Sequence, residues 1–227
     1  MTYLELVNGV LRRLREEEVS SVGQETYSKM IGDFVNDSKK IVEKSWDWSG
    51  LKTTISVATE ADKYNYSLLG SQDDIKTMDV TNDTSGFFIN YRPSEWFHQQ
   101  FLNKTPPHGT PQYYTYNGLD AAGDSQVDLY PIPDDEYSLT FNCFLRNKEL
   151  VEDSDKLKIP MEPVLHLAVA LAARERGETG GTAAPEYFAV ADAYLSDAIA
   201  LDAQKHPYAT DWYTPEELVY GPACREY

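Results

Sequence analysis

Basic residues are scarce: 20 Lys and Arg stand against 37 Asp and Glu in 227 residues, a formal charge of -17. Such a surface repels nucleic acid and anionic membrane, which argues against direct DNA wrapping. Cysteine is nearly absent. Cys143 lies in a strand-like run and Cys224 near the C-terminus, which gives no disulfide framework and suits a reducing compartment, with both expected as thiols. No uninterrupted apolar stretch approaches the roughly 18 residues of a membrane span, and the Ala-rich run from Leu165 to Ala173 falls far short of it. Met1-Thr2-Tyr3-Leu4-Glu5 lacks a basic segment followed by an apolar one, so no secretory signal is expected. A soluble protein that starts in the cytoplasm, without a membrane partner, is the expectation.

Catalytic signatures are missing as well. The chain contains no GxGxxG, no GxxxxGK[ST], no HExxH and no GxSxG. His98, His108, His166 and His206 are scattered, and no Cys/His spacing resembles a zinc site. His166, on an Ala/Leu-rich stretch, reads as a packed core or interface histidine. Asp73-Asp74 and Asp134-Asp135 lack the ligand spacing of a calcium loop and read as turn residues. Glu95 beside Trp96 is the best candidate for a glycosidase-type acid, yet its helix is better explained by packing across a sheet. No catalytic residue, cofactor or metal is expected, and the chain is read as a non-enzyme.

What is present is periodicity that changes twice. Thr2 and Glu5 have the spacing of a capping box. Leu4, Val7, Leu11 and Leu14 then recur at helical spacing, as do Tyr27, Ile31, Phe34, Val35, Ser38, Ile41, Val42 and Trp46 after a short break, which predicts an antiparallel helical hairpin. From about Leu51 the period becomes two. Thr53–Val57, Tyr64–Leu68, Ile75–Val80, Phe87–Tyr91, Gln112–Tyr116, Val127–Tyr130 and Tyr137–Arg146 read as strands. Asn82-Asp83, Asn117-Gly118 and Pro131-Ile132-Pro133-Asp134-Asp135 read as turns, and Ser94–Leu102 as one short helix. Helical spacing returns after Lys158, with Pro160 and Pro163 in a first turn. Gly177–Ala184 reads as a linker. A last helix carries Phe188, Ala191, Leu195, Ala198, Ile199 and Asp202 on one side, and Asp192, Asp197 and Asp202 are expected to face water.

The predicted class is therefore α+β: a helical bundle formed by N- and C-terminal helix pairs, with a β-rich insertion and an extended C-terminal arm. The boundaries are 1–49 for the first hairpin, 50–150 for the insertion, 151–204 for the second helix pair and 205–227 for the arm.

The arm carries the most information. Disordered tails are poor in aromatics because they bury nothing, yet Tyr208, Trp212, Tyr213, Leu218, Tyr220 and Tyr227 crowd a segment punctuated by Pro207, Pro215 and Pro222. Rings with a polar tip are what interfaces select. One reading folds the segment back on its own domain; the other makes these six residues the interface of an arm that reaches another subunit. Elsewhere the 16 Tyr, 8 Phe and 4 Trp include Tyr113-Tyr114-Thr115-Tyr116 and Trp46-Asp47-Trp48, which suit a subunit interface or, as the alternative, a glycan-binding tail module. A cell-wall hydrolase ranks third.

The order of motifs resembles the head-to-tail adaptor proteins of tailed bacteriophages. The resemblance rests on Leu4-Glu5-Leu6-Val7-Asn8 with Leu11-Arg12-Arg13-Leu14, and on Phe34-Val35-Asn36-Asp37-Ser38-Lys39 running into Trp46-Asp47-Trp48 and the strand at Leu51-Lys52-Thr53-Thr54-Ile55. It extends through Tyr91-Arg92-Pro93-Ser94-Glu95-Trp96-Phe97, Gly109-Thr110-Pro111-Gln112-Tyr113-Tyr114, Leu129-Tyr130-Pro131-Ile132-Pro133 and Lys158-Ile159-Pro160. It implies a virion protein of the neck, assembled in the host cytoplasm as a homo-oligomeric ring of twelve copies. The phage portal protein would lie on one side and a downstream tail or nozzle protein on the other, with the arm on the portal and DNA only passing through the lumen.

Overall fold

The computed structural model describes residues 1–71, 75–102, 105–176 and 183–205, the side chains of 183 and 184 excepted. They form five α-helices and eight β-strands in two four-stranded sheets. Two compact units result, one of residues 1–49 with the described residues from 149 onward, the other of residues 50–148.

The first unit holds α1 (Tyr3–Arg13), α2 (Thr26–Ser45), α4 (Met161–Glu175) and α5 (Ala183–Ala203). α1 starts where the capping box places it: Glu5 N–H donates to Thr2 Oγ1 at 3.3 Å and Thr2 N–H to Glu5 Oε2 at 2.8 Å. Its buried side is wider than the sequence stripe, adding Tyr3, Leu6 and Val10 to Val7 and Leu11. α2 passes under Tyr3 at Gly32, where a Cβ would come within 3.0 Å of Val22 Cγ1 and closer still to the Tyr3 hydroxyl. Ile41, placed in the buried stripe by its spacing, is 51% exposed.

The expected bundle of two helix pairs closing over one another is corrected by this arrangement. α4 is the centre: it packs on α1, α2 and α5, while α5 packs on α4 with no comparable contact to α1 or α2. Composition explains why. Val164, Leu165, Ala168, Val169, Ala170, Ala172 and Ala173 are all buried, so α4 is apolar nearly all round and accepts neighbours on several sides. Among its described side chains α5 buries only a thin line of Ala191, Ala198 and Asp202. The two run antiparallel, with His166 stacked on Tyr194 and Arg174 over the Phe188 ring. The extended C-terminal arm of the predicted class lies outside the described residues.

The second unit faces one sheet with the other. β1 (Lys52–Ala58), β8 (Ser138–Leu145), β3 (Ile75–Asn82) and β4 (Phe87–Phe88) make the first in that order; β2 (Asn65–Ser67), β7 (Ser125–Tyr130), β6 (Tyr113–Leu119) and β5 (Asn90–Tyr91) make the second. All neighbours are antiparallel except β5 and β6. The core draws on both: Val80, Leu139 and Phe141 from the first sheet meet Tyr66, Tyr114, Val127 and Leu129 from the second, with Leu68 and Ile89. α3 (Ser94–Phe101) packs on β6.

Two turn readings change. Phe87–Tyr91 is not one strand: it crosses from one sheet to the other at Ile89, whose buried side chain joins the core. Asn117-Gly118 is not the hairpin turn but part of β6, where Gly118 at φ +80° accompanies a register shift between Tyr116 and Leu119. The turn follows at Asp120, whose carboxylate accepts from the N–H groups of Ala122 and Asp124 at 2.8 and 2.9 Å.

Candidate assembly surfaces

The end of α5, just before the predicted arm in sequence, is held in place. Asp202, predicted to face water, is instead 4% exposed. Its carboxylate accepts from the Ser49 N–H at 2.9 Å, the Ser49 hydroxyl at 2.5 Å and Lys205 Nζ at 3.0 Å. Burial alone pushes the carboxyl up, but these donors outweigh it and hold it below the usual carboxylate range. The last turn of α5 is thereby tied to Ser49, just ahead of the arm. Of the predicted interface residues, Tyr208, Trp212, Tyr213, Leu218, Tyr220 and Tyr227 all lie outside the described residues, as do His206, Cys224 and Asp73-Asp74.

The outer side of α5 is a second candidate. Tyr187, Val190, Tyr194 and Leu201 are 37–65% exposed, and their spacing puts them on one stripe beside the buried line. Glu186 and Asp197 rim it, both exposed. The ring of His166 covers Tyr194 face to face at 4.2 Å; burial, with Arg13 nearby, lowers its pKa. The reading of this histidine as a packed one matches its position.

Inside α2 runs a polar row that the sequence pattern did not single out. Asn36 binds Leu150 twice, donating to its carbonyl at 3.0 Å and accepting its N–H at 2.9 Å. Lys39 and Glu43, 1% and 2% exposed, pair at 3.5 Å. Burial lowers the Lys39 pKa while Glu43 raises it. An i,i+4 Lys-Glu pair is the usual mark of a solvated face, so nothing in the sequence singled this one out. Trp48, of the Trp46-Asp47-Trp48 segment, is likewise structural: it is buried, and its indole N–H donates to the Val42 carbonyl at 2.7 Å.

Many rings of the β unit pack on one another, while Tyr64, Phe88 and Tyr91 remain 43–64% exposed. Trp96 lies 5.0 Å from Tyr113 and 5.3 Å from Tyr130, with Arg92 over Trp96 and Tyr113. Tyr114 is buried against Tyr91, Tyr116 and Phe141, and burial raises its hydroxyl pKa to about 12. Glu95 is exposed at the start of α3. Asp134 accepts from the Tyr137 hydroxyl at 2.7 Å, and Asp135 from the Glu136 N–H at 2.8 Å, which is turn chemistry. Among the described residues no three His, Cys, Asp or Glu gather as metal ligands, and no helix is long and apolar enough to cross a membrane.

No protein of curated function matches the sequence. Residues 1–215 match the family described as SU10 adaptor protein, a range that includes Tyr208, Trp212 and Tyr213 and stops short of Leu218. The match covers most of the chain, which belongs to this family of phage head-to-tail adaptors.

Proposed function

We propose that the chain is a structural virion protein that forms a homo-oligomeric ring of twelve copies at the head-tail junction. The portal protein binds one face and a downstream tail or nozzle protein the other, while the lumen passes DNA. The observation that carries this reading is the family match over residues 1–215; the family is a structural one, whose members connect portal and tail. The excess of 37 acidic over 20 basic residues fits a channel along which DNA slides rather than sticks.

In this reading Tyr208, Trp212, Tyr213, Leu218, Tyr220 and Tyr227 are anchors, and large rings at the centre of an interface each contribute about 2 kcal/mol or more. The test is sedimentation of the chain alone and mixed with the portal of its phage. A ring-sized complex is expected only in the mixture, and a chain ending at Lys205 is expected to melt like the full chain but to bind no portal. Stable rings without portal would remove the templated step. Absence of any complex would overturn the assignment, and a sharply lowered melting temperature after truncation would return the arm to its own core.

A further inference from the structure

Each sheet of the β unit ends in an open edge, and the two edges flank one groove. β1 pairs with β8 along its whole length, Lys52 opposite Phe144 through Ala58 opposite Ser138, and among the described residues no strand pairs with its other side. Thr59 N–H donates to the Tyr137 carbonyl at 2.9 Å. The alternation of an antiparallel ladder therefore turns the backbone of Thr53, Ile55 and Val57 toward β8 and that of Thr54, Ser56 and Ala58 outward. β2 closes the second sheet in the same way. Leu68 N–H donates to Ser125 and Leu129 N–H to Tyr64, each at 2.8 Å, which leaves Asn65 and Ser67 facing away from β7. Between the two edges lies a groove of about 420 Å³, lined among others by Ser56, Ala58, Lys63, Asn65, Ser67 and Leu69.

An open edge invites another strand, and folded proteins usually blunt such edges with proline, bulges or charge along the strand. β1 has none of these in its interior: Lys-Thr-Thr-Ile-Ser-Val-Ala carries its one charge at the first residue, and its register with β8 is unbroken. The complementary object is an extended segment that offers a bare backbone.

Resting on the ring reading above, we propose that this groove receives Tyr208–Thr214 of a neighbouring copy as an added strand along β1. The segment Tyr-Ala-Thr-Asp-Trp-Tyr-Thr is seven residues long, like β1, and is bounded by Pro207 and Pro215, which limit a ladder at both ends. Five of the seven are β-prone types, and alternation places Tyr208, Thr210, Trp212 and Thr214 on one side against Ala209, Asp211 and Tyr213 on the other. The segment begins three residues beyond Lys205, next to the helix end that Asp202 ties down. The arm is then divided. Its first half joins subunit to subunit by main-chain hydrogen bonds, and its second half, from Glu216, remains for the portal.

Proline at position 56 tests this with little collateral damage, because the N–H it removes points away from β8. The Ser56→Pro chain is expected to melt like the parent and to lose ring assembly on portal by at least about tenfold in half-saturating concentration. Hydrogen exchange of the parent supplies the second reading. The amides of Thr54, Ser56 and Ala58 are expected to slow by about tenfold or more as the chain is concentrated or assembled on portal, and not to slow in a chain ending at Lys205. Equal exchange at all concentrations and in the ring overturns the proposal. So does protection that is independent of concentration, which would place the chain's own arm in the groove, or protection that survives truncation, which would place a different strand there. If the parent binds no portal yet shows arm-dependent protection on concentration, the strand exchange stands and the portal reading falls.

Discussion

The two units solve the same problem of burial with different materials. The helical unit encloses the charged Lys39, Glu43 and Asp202 along with Ser28, Asn36 and Ser38, whereas the polar residues buried in the β unit, Thr59, Ser71, Asn82, Thr115 and Ser125, are all neutral and the core shared by its two sheets consists of Val, Leu, Ile, Phe and Tyr. Burying a charge costs far more than burying a hydroxyl unless it is paired, so the helical unit is specified by pairs such as Lys39 with Glu43 and Asp202 with Ser49. The sheets hold by area and fit, and keep their unsatisfied backbone at the edges. A structure built on pairs should fail at one substitution and recover at a second; one built on area should fail in proportion to what is removed.

The largest effect expected from that contrast is at Lys39. Lys39→Met takes the ammonium from a buried carboxylate and should cost about 3–5 kcal/mol, while the double change Lys39→Met with Glu43→Leu should recover most of it, since apolar residues of similar volume replace buried ion pairs at little net cost. Urea unfolding of the three chains measures both numbers. A neutral single variant would mean that Lys39 and Glu43 do not depend on one another, and the contrast between the units would lose its clearest case.

Next in size is Leu129→Ala in β7, fully buried between the sheets. Removing its side chain should cost about 2–5 kcal/mol through lost burial and an unfilled cavity, with no polar partner whose removal rescues it. Hydrogen exchange resolved by residue sharpens the test: the loss is expected in β6, β7 and β8, with α4 amides unchanged if the units open separately. Equal loosening of both units would show a single cooperative block.

The same difference explains what the sequence revealed. Strand positions were legible because alternation between Thr53 and Val57 or Tyr137 and Arg146 is set by burial on one face, and the turn residues at Asn82-Asp83 are local chemistry. Helix positions were legible for similar reasons, down to the Thr2-Glu5 box. What stayed hidden depends on partners distant in the chain. Asp202 reads as a surface acid until Ser49, 153 residues away, donates to it. Lys39 and Glu43 have the i,i+4 spacing common on solvated faces, yet both are buried in the folded helical unit. The central place of α4, which displaced the expected bundle, follows from apolar character all round a helix, a property that tells how much surface is covered but not by which neighbours. The strand break at Ile89 and the bulge at Gly118 are decided by pairing across sheets. The candidate site shows the same limit: the arm stands out by composition, but an open edge such as that of β1 appears only when the strand order is known.

The smallest effect expected is the pH response of His166 in the α4–α5 contact. Its imidazole lies against Tyr194 at 4.2 Å, and burial together with Arg13 lowers its pKa, with Glu162 opposing. An unfolded histidine takes its proton near pH 6.5; the folded one resists until lower pH, so the unfolded chain binds more protons between those two values. The contribution of His166 is therefore fully present above about pH 6.5 and is lost as pH falls below it. His166→Phe keeps a ring against Tyr194 and removes the titration. Melting temperatures of parent and variant compared at pH 8 and at pH 5.5 should diverge by no more than about 2–4 °C, with the parent the one that falls on acidification, a span set by the shift expected for a domain-sized chain per kcal/mol. The difference is small because the ring is only partly buried. A parent that gains stability relative to the variant at pH 5.5 would mean that the imidazolium is the favoured form, with Glu162 rather than burial governing the contact between α4 and α5.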